Sequence, residues 1–159
     1  MRTLLHPASK SPAVTDLALL VSRVALGVIL LAHGWQKLNE YTVTGTAASF
    51  DQMGVPAPTA AATFATAVEL VGGAALILGL LTPVVALLNT VNLLGALVLV
   101  HAGNGVFVEN GGYELVLALA AGLLVIAMLG AGRFSVDGLL GRRYTARDAA
   151  PGHATPAAA

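Results

Sequence analysis

Apolar residues fill four stretches of this chain almost without a break, at about 16–38, 59–81, 84–101 and 113–131. A helix needs about 20 mainly apolar residues to cross the hydrocarbon core of a bilayer. The pattern therefore predicts an all-α integral membrane protein, a bundle of four transmembrane helices. Thr82 and Pro83 make a tight turn between the second and third stretches. Pro83 suits the first turn of a helix, where no amide donor is needed. The other two connections are long. Residues 39–58 have room for a short surface helix near 46–53, ended by Gly54-Val55-Pro56, with Phe50 and Met53 along the membrane interface. Residues 102–112 are rich in Gly and Asn.

Composition agrees with the pattern. The chain is 57% hydrophobic and only 10% charged, and its mean hydropathy is +0.82. Soluble domains carry about 25% charged residues, so lipid is the expected solvent for most of this surface. Residues 1–15 read as an N-terminal segment, 16–140 as one membrane domain and 141–159 as a disordered tail, Ala-rich with Pro151, Gly152 and Pro156. The first apolar stretch is too long for a signal h-region and lacks a small-residue cleavage site, so no cleavable leader is expected.

Charge sets the sidedness. With four spans, both termini share one side and both long loops the other. Arg2, Lys10, Arg133, Arg142, Arg143 and Arg147 lie with the termini, and Lys37 is the basic residue at the loop side. The positive-inside rule then places both termini in the cytoplasm and the long loops outside. The formal net charge is zero, which excludes the basic surface that nucleic-acid binding needs. There is no cysteine, so thiol redox chemistry, thiolate metal sites and iron–sulfur clusters are outside this chain's own means.

Polar side chains are costly inside a membrane and are functional candidates by default. Here they are Arg23, His33, Gln36 and Lys37 on span one, Glu69 on span two, Asn89, Asn92 and His101 on span three, and Glu114 at the start of span four. Depth follows from the helical rise of 1.5 Å per residue. With the outer boundary set at Lys37, Thr59 and His101, Arg23 lies about 21 Å down, Glu69 about 15 Å and Asn92 about 13 Å. This makes Arg23 and Glu69 expected partners near mid-membrane, with Asn92 in reach. Such a pair serves helix register or function equally well. Alternatively, Arg23 snorkels to the inner headgroups and leaves Glu69 alone.

A second group gathers at the outer end. His33 and Lys37 are four apart and share a helix face, with His101, Glu109 and Glu114 at a similar level. Taken singly, Lys37 reads as an interfacial anchor and Glu114 as a charge favoured at a helix N-terminus, whereas His33 reads as functional. A quinone headgroup, a proton relay and a divalent metal are the chemistries such a cluster could serve. Metal is the weakest, because no close ligand pair such as H-x-x-x-H is present.

These residues resemble the DoxX family of small four-span bacterial membrane proteins. The resemblance runs from about residue 17 to 140. It rests on Arg23-x-x-x-Gly27 and His33-Gly34-x-x-Lys37-Leu38, then Gly54-Val55-Pro56 and Glu69-x-x-Gly72-Gly73. It continues through Leu78-Gly79-Leu80-Leu81-Thr82-Pro83, His101, and Gly130-x-Gly132-x-x-Ser135-x-Asp137. Relatives in that family include a subunit linked to thiosulfate:quinone oxidoreduction. The resemblance implies a bacterial cytoplasmic-membrane protein with a redox role, and carries no established catalytic set. The expectation is a component binding menaquinone or ubiquinone near the outer face, through His33, Lys37, Glu69, Arg23, His101, Asn92 and Glu114. Two alternatives stay open: an anchor recruiting soluble redox enzymes, and a small-molecule or proton carrier. The expected partners are membrane lipid, redox-enzyme proteins and further copies of the chain.

Overall fold

A computed structural model describes residues 11–148, and the ordered elements among them are all helical. In chain order they are α1 (Pro12–Asn39), α2 (Thr42–Gln52), α3 (Pro58–Leu78), α4 (Thr82–Ala96), α5 (Glu114–Leu129) and α6 (Val136–Asp148). The backbone of α4 continues through a π-helical turn, Leu97–His101, and a 3-10 turn, Ala102–Asn104. A second 3-10 turn, Val108–Asn110, lies in the loop before α5. Prolines open α1, α3 and α4, including Pro83 at the expected tight turn.

Three helices are long and apolar enough to cross a bilayer: Pro12–Asn39, Pro58–Leu78 and Thr82–Asn104. The fourth, Glu114–Leu129, is equally apolar but 16 residues long, about 24 Å by helical rise. Two loop-side details differ from expectation. The surface helix α2 begins at Thr42 rather than near 46, and Phe50 turns inward to line a cavity while Met53 stays exposed. The tail expected to be disordered from 141 is helical as far as Asp148, and the rest of it lies outside the described residues. The helix starts because the Ser135 hydroxyl accepts the Gly138 amide at 3.0 Å, satisfying a donor that has no partner within the helix.

The apolar core joins Leu19 and Leu30 of α1, Leu76 of α3, Leu93 of α4 and Leu123 and Ile126 of α5. α1 packs chiefly on α3, and α4 on α5. Small residues set the first of these crossings. A Cβ on Gly34 would meet the Leu70 amide nitrogen at 2.5 Å, and one on Gly73 would meet the Leu31 nitrogen at 2.6 Å. Both obstacles are backbone, which cannot swing aside as a side chain can. Gly34→Ala is therefore expected to destabilise the bundle by about 1–3 kcal/mol, the cost of overpacking a tight contact. Gly95→Ala is the control, since its Cβ meets nothing within 4 Å. Thermal midpoints in detergent compare the two, and equal midpoints would mean the α1–α3 crossing is not close.

The end of the bundle where α1 begins and α5 ends is closed by polar groups. Arg23, 1% exposed, donates to the carbonyls of Leu76 (2.9 Å) and Ile77 (2.6 Å), and also to that of Phe134. The first two lie in the last turn of α3, where carbonyls have no partner within the helix. Gly79, the left-handed residue ending α3 (φ 70°), makes room for this, because a Cβ there would stand 2.7 Å from the guanidinium. Asp137 accepts the amides of Leu81 and Thr82, each at 2.8 Å, and returns its own amide to the Gly79 carbonyl at 2.9 Å. Those bonds hold Leu81 at φ 48°, a left-handed conformation disfavoured for a side chain with a Cβ. Asp16 accepts the Arg133 amide at 2.9 Å, with Arg133 Nε at 3.3 Å from its other oxygen.

The expected Arg23–Glu69 pair is thus corrected. Arg23 sits among main-chain carbonyls, about two turns of α3 away from Glu69. The depth rule misplaced α3 because Thr59 is not level with Lys37. Gly34 faces Leu70 and Glu69, so the first turns of α3 run past the end of α1, and α2 packs on α3 instead.

Candidate functional site

Glu69 is buried on α3, directly opposite the turn of α1 that carries Gly34. Lys37, near the end of α1, reaches it with Nζ 2.6 Å from Oε2. Asn92, on α4, donates its amide to Oε1 at 3.2 Å. Three helices therefore supply one carboxylate with a cation on one oxygen and an amide on the other. Lys37 is partly buried, so the pair gains more from charge attraction than an exposed pair would, and each partner would be costly alone. One helical turn below Asn92, Asn89 is fully buried and donates to the carbonyls of Val68 (3.1 Å) and Val85 (3.0 Å), which ties α4 to α3.

Above this layer the helices part and leave a cavity of about 450 Å³. Its walls are aliphatic and aromatic, from Leu30, Phe64, Leu93 and Leu119 among others. Phe50 and Val55 reach it from the α2 segment, and Val108 and Gly112 from the loop before α5. Its polar lining comes from His33, Lys37, Glu69, Asn92 and His101. Ligand sites have this character: mainly apolar, 300–1,000 Å³ in round terms, with a few placed polar groups.

The two histidines are held alike. His33 Nδ1 lies 2.9 Å from the Ile29 carbonyl, and His101 Nδ1 lies 2.7 Å from the Gly111 carbonyl. A carbonyl only accepts, so Nδ1 carries the proton in both. A neutral ring then keeps Nε2 as an acceptor, and a protonated ring makes it a donor. His33 is exposed and His101 partly so. Glu114 does not line the cavity. Its Oε1 accepts the Val108 amide at 2.8 Å and so fixes the loop that covers it. Gln36 is also elsewhere, donating to Glu40 at 3.2 Å.

Of the residues singled out from the sequence, His33, Lys37, Glu69, Asn92 and His101 meet at one cavity, whereas Arg23 and Glu114 stand apart. The partnership of Lys37 with Glu69 was missed. The two are 32 residues apart, and a lysine near a helix end looks like an anchor. The cover formed by Phe50 and Val55 had no signal beyond their apolar character. Among the described residues, no three His, Cys, Asp or Glu side chains converge as metal ligands would.

Comparison with known proteins places this chain in a family. The family model for DoxX matches residues 18–102. An uncharacterized membrane protein of Mycobacterium tuberculosis, Rv3486, is 34% identical over 156 residues, covering 90% of this chain and 90% of its own. The inner membrane protein YqjF of Escherichia coli is 29% identical over 129 residues, which is 81% of this chain and 96% of that protein. A protein of Bacillus subtilis named as the putative oxidoreductase CatD is 29% identical over 122 residues, 77% of this chain and 86% of its own. No solved structure matches the chain.

Proposed function

The chain belongs to the DoxX family, and on that premise we propose that it is a redox-linked component of the bacterial cytoplasmic membrane that binds a quinone. The observation that carries this reading is the cavity of about 450 Å³, apolar except where Lys37, Glu69, Asn92 and the two histidines meet it. A quinone headgroup is a flat, mostly apolar ring with an oxygen at each end. Its carbonyls accept from an ammonium or an amide, which Lys37 and Asn92 supply. The hydroxyls of the reduced form donate to a carboxylate or an imidazole Nε2, which Glu69 and the neutral histidines supply. One set of side chains thus serves both oxidation states.

The naming of the Bacillus subtilis relative as a putative oxidoreductase supports a redox setting, and that of the Escherichia coli relative as an inner membrane protein supports the location. With both termini in the cytoplasm, the cavity lies toward the outer face. Electrons come from a bound cofactor or a partner, since the chain carries no cysteine for thiol redox chemistry of its own. The test is direct. Protein extracted in mild detergent is expected to retain menaquinone or ubiquinone near one per chain, measured by extraction and absorbance against empty micelles. Quinone at the background level, with none taken up on addition, would remove this reading.

A further inference from the structure

The cavity has a mouth, and its position says how a ligand enters. α3 and α4 are held together at the turn end, where Asp137 clamps Leu81 and Thr82 and where Asn89 bridges to Val68. The contact there is close: a Cβ on Gly72 would stand 2.4 Å from the Asn89 amide nitrogen. Beyond Asn92 residues of both helices line the cavity. Phe64 of α3 is 46% exposed, and Val91 and Leu99 on the α4 side are 58% and 48% exposed, yet all three also line the cavity. A side chain that faces both a cavity and the outside marks an opening. Gly95 stands between Val91 and Leu99 on the same wall, and a Cβ there would meet nothing within 4 Å.

The backbone at this place is irregular. Just past Gly95 the helix widens into the π-turn Leu97–His101, with the Ala102 amide bonded to the Leu97 carbonyl. Such turns are frequent at functional sites, because one extra residue re-aims the end of a helix. His101, the last residue of that turn, is fastened by its bond to Gly111. The other loosely packed seam, between α1 and α5, differs in chemistry. Leu26 covers Gly122 low in that seam, and its upper part carries His33 and Leu115, both exposed and both lining the cavity, so that this opening has an imidazole at its edge. The exposed lining residues between α3 and α4, Phe64, Val91 and Leu99, are all apolar.

We propose that the seam between the outer halves of α3 and α4 is a lateral portal to the hydrocarbon phase, which receives the apolar tail of the ligand, and that Gly95 keeps it open. The proposal rests on the cavity being a headgroup site, and it specifies the ligand as a tailed amphiphile drawn from the bilayer. Such a ligand passes from lipid to the cavity without crossing water. Its ring rests beside Lys37 and Glu69, and its first tail carbons lie against Phe64, Val91 and Leu99.

The test is Gly95→Leu, whose Cβ meets nothing within 4 Å among the described residues and which replaces glycine by a better helix former. Proteoliposomes holding each protein are titrated with a full-length isoprenoid quinone and with the tail-less ring. In Gly95→Leu the long-tailed quinone is expected to bind about tenfold more weakly or worse, the effect of losing about two buried methylenes. The tail-less ring should change by less than about twofold, at an unaltered thermal midpoint. Equal loss for both ligands, or loss for neither, would overturn the portal while leaving the headgroup site standing. A tail-selective loss in Leu115→Trp instead would put the mouth at the α1–α5 seam, which also overturns it. Failure of the wild-type protein to bind either ligand would remove the headgroup reading and the portal together.

Discussion

Arg23→Met is expected to lower the stability of the detergent-extracted protein by about 3–5 kcal/mol, the cost of leaving several buried main-chain acceptors without a donor. Buried ion pairs are often replaced by apolar residues at little cost, because both charges leave together. That escape is closed here. Arg23 is bonded to the main-chain carbonyls of Leu76, Ile77 and Phe134, and these remain after any substitution at position 23. An acceptor left dry in an apolar setting costs about 1–3 kcal/mol. Among the described residues Arg23 Nε has no hydrogen-bond partner, which keeps the loss nearer the lower end of the range. Arg23→Lys should recover only part of it, since one ammonium lacks the planar fork that reaches several acceptors at once. Equilibrium unfolding in mixed micelles measures both variants. A loss below about 1 kcal/mol for Arg23→Met would mean that the carbonyls find other partners.

The second large effect is expected at Lys37 and Glu69, and its signature is non-additivity. Lys37→Met strands a buried carboxylate. Glu69→Leu strands a partly buried ammonium and the Asn92 amide. Each single change should cost about 3–5 kcal/mol. The double variant should cost clearly less than the two together, because neither charge is then left alone. A double-mutant cycle reads this coupling, and agreement with simple addition to within about 0.5 kcal/mol would show that the groups act independently. All three variants are expected to lose quinone binding. That loss separates the pair's role in the cavity from its role in stability, since the double variant restores only the latter.

The spans were legible because lipid as solvent demands long apolar helices, and that demand is written in composition. Pro83 at the tight turn and the concentration of His33, Lys37 and His101 toward the loop end of the bundle were legible for the same kind of local reason. What could not be read was the relative height of the helices. The rise per residue orders positions within one helix but gives no common zero between two. That zero comes from close packing of Gly34 on Leu70 and Gly73 on Leu31, and glycines in sequence do not say what they touch. An error of a few turns in the height of α3 was enough to pair Glu69 with Arg23 instead of Lys37. The clamp made by Asp16, Arg133 and Asp137 was hidden for another reason. Charges near helix ends look like ordinary interfacial residues until the chain after α5 folds back on the α3–α4 turn.

That fold-back has a consequence for how the protein is made. Arg23 leaves the ribosome in the first span, but its acceptors lie 53, 54 and 111 positions later. During synthesis the first helix therefore enters the membrane carrying a charge whose resting place does not yet exist. Two of the three acceptors arrive with the end of the second span and the third only after the fourth. The bundle cannot be locked in the order in which it is inserted: its oldest segment is the last to be secured, by some of its youngest residues.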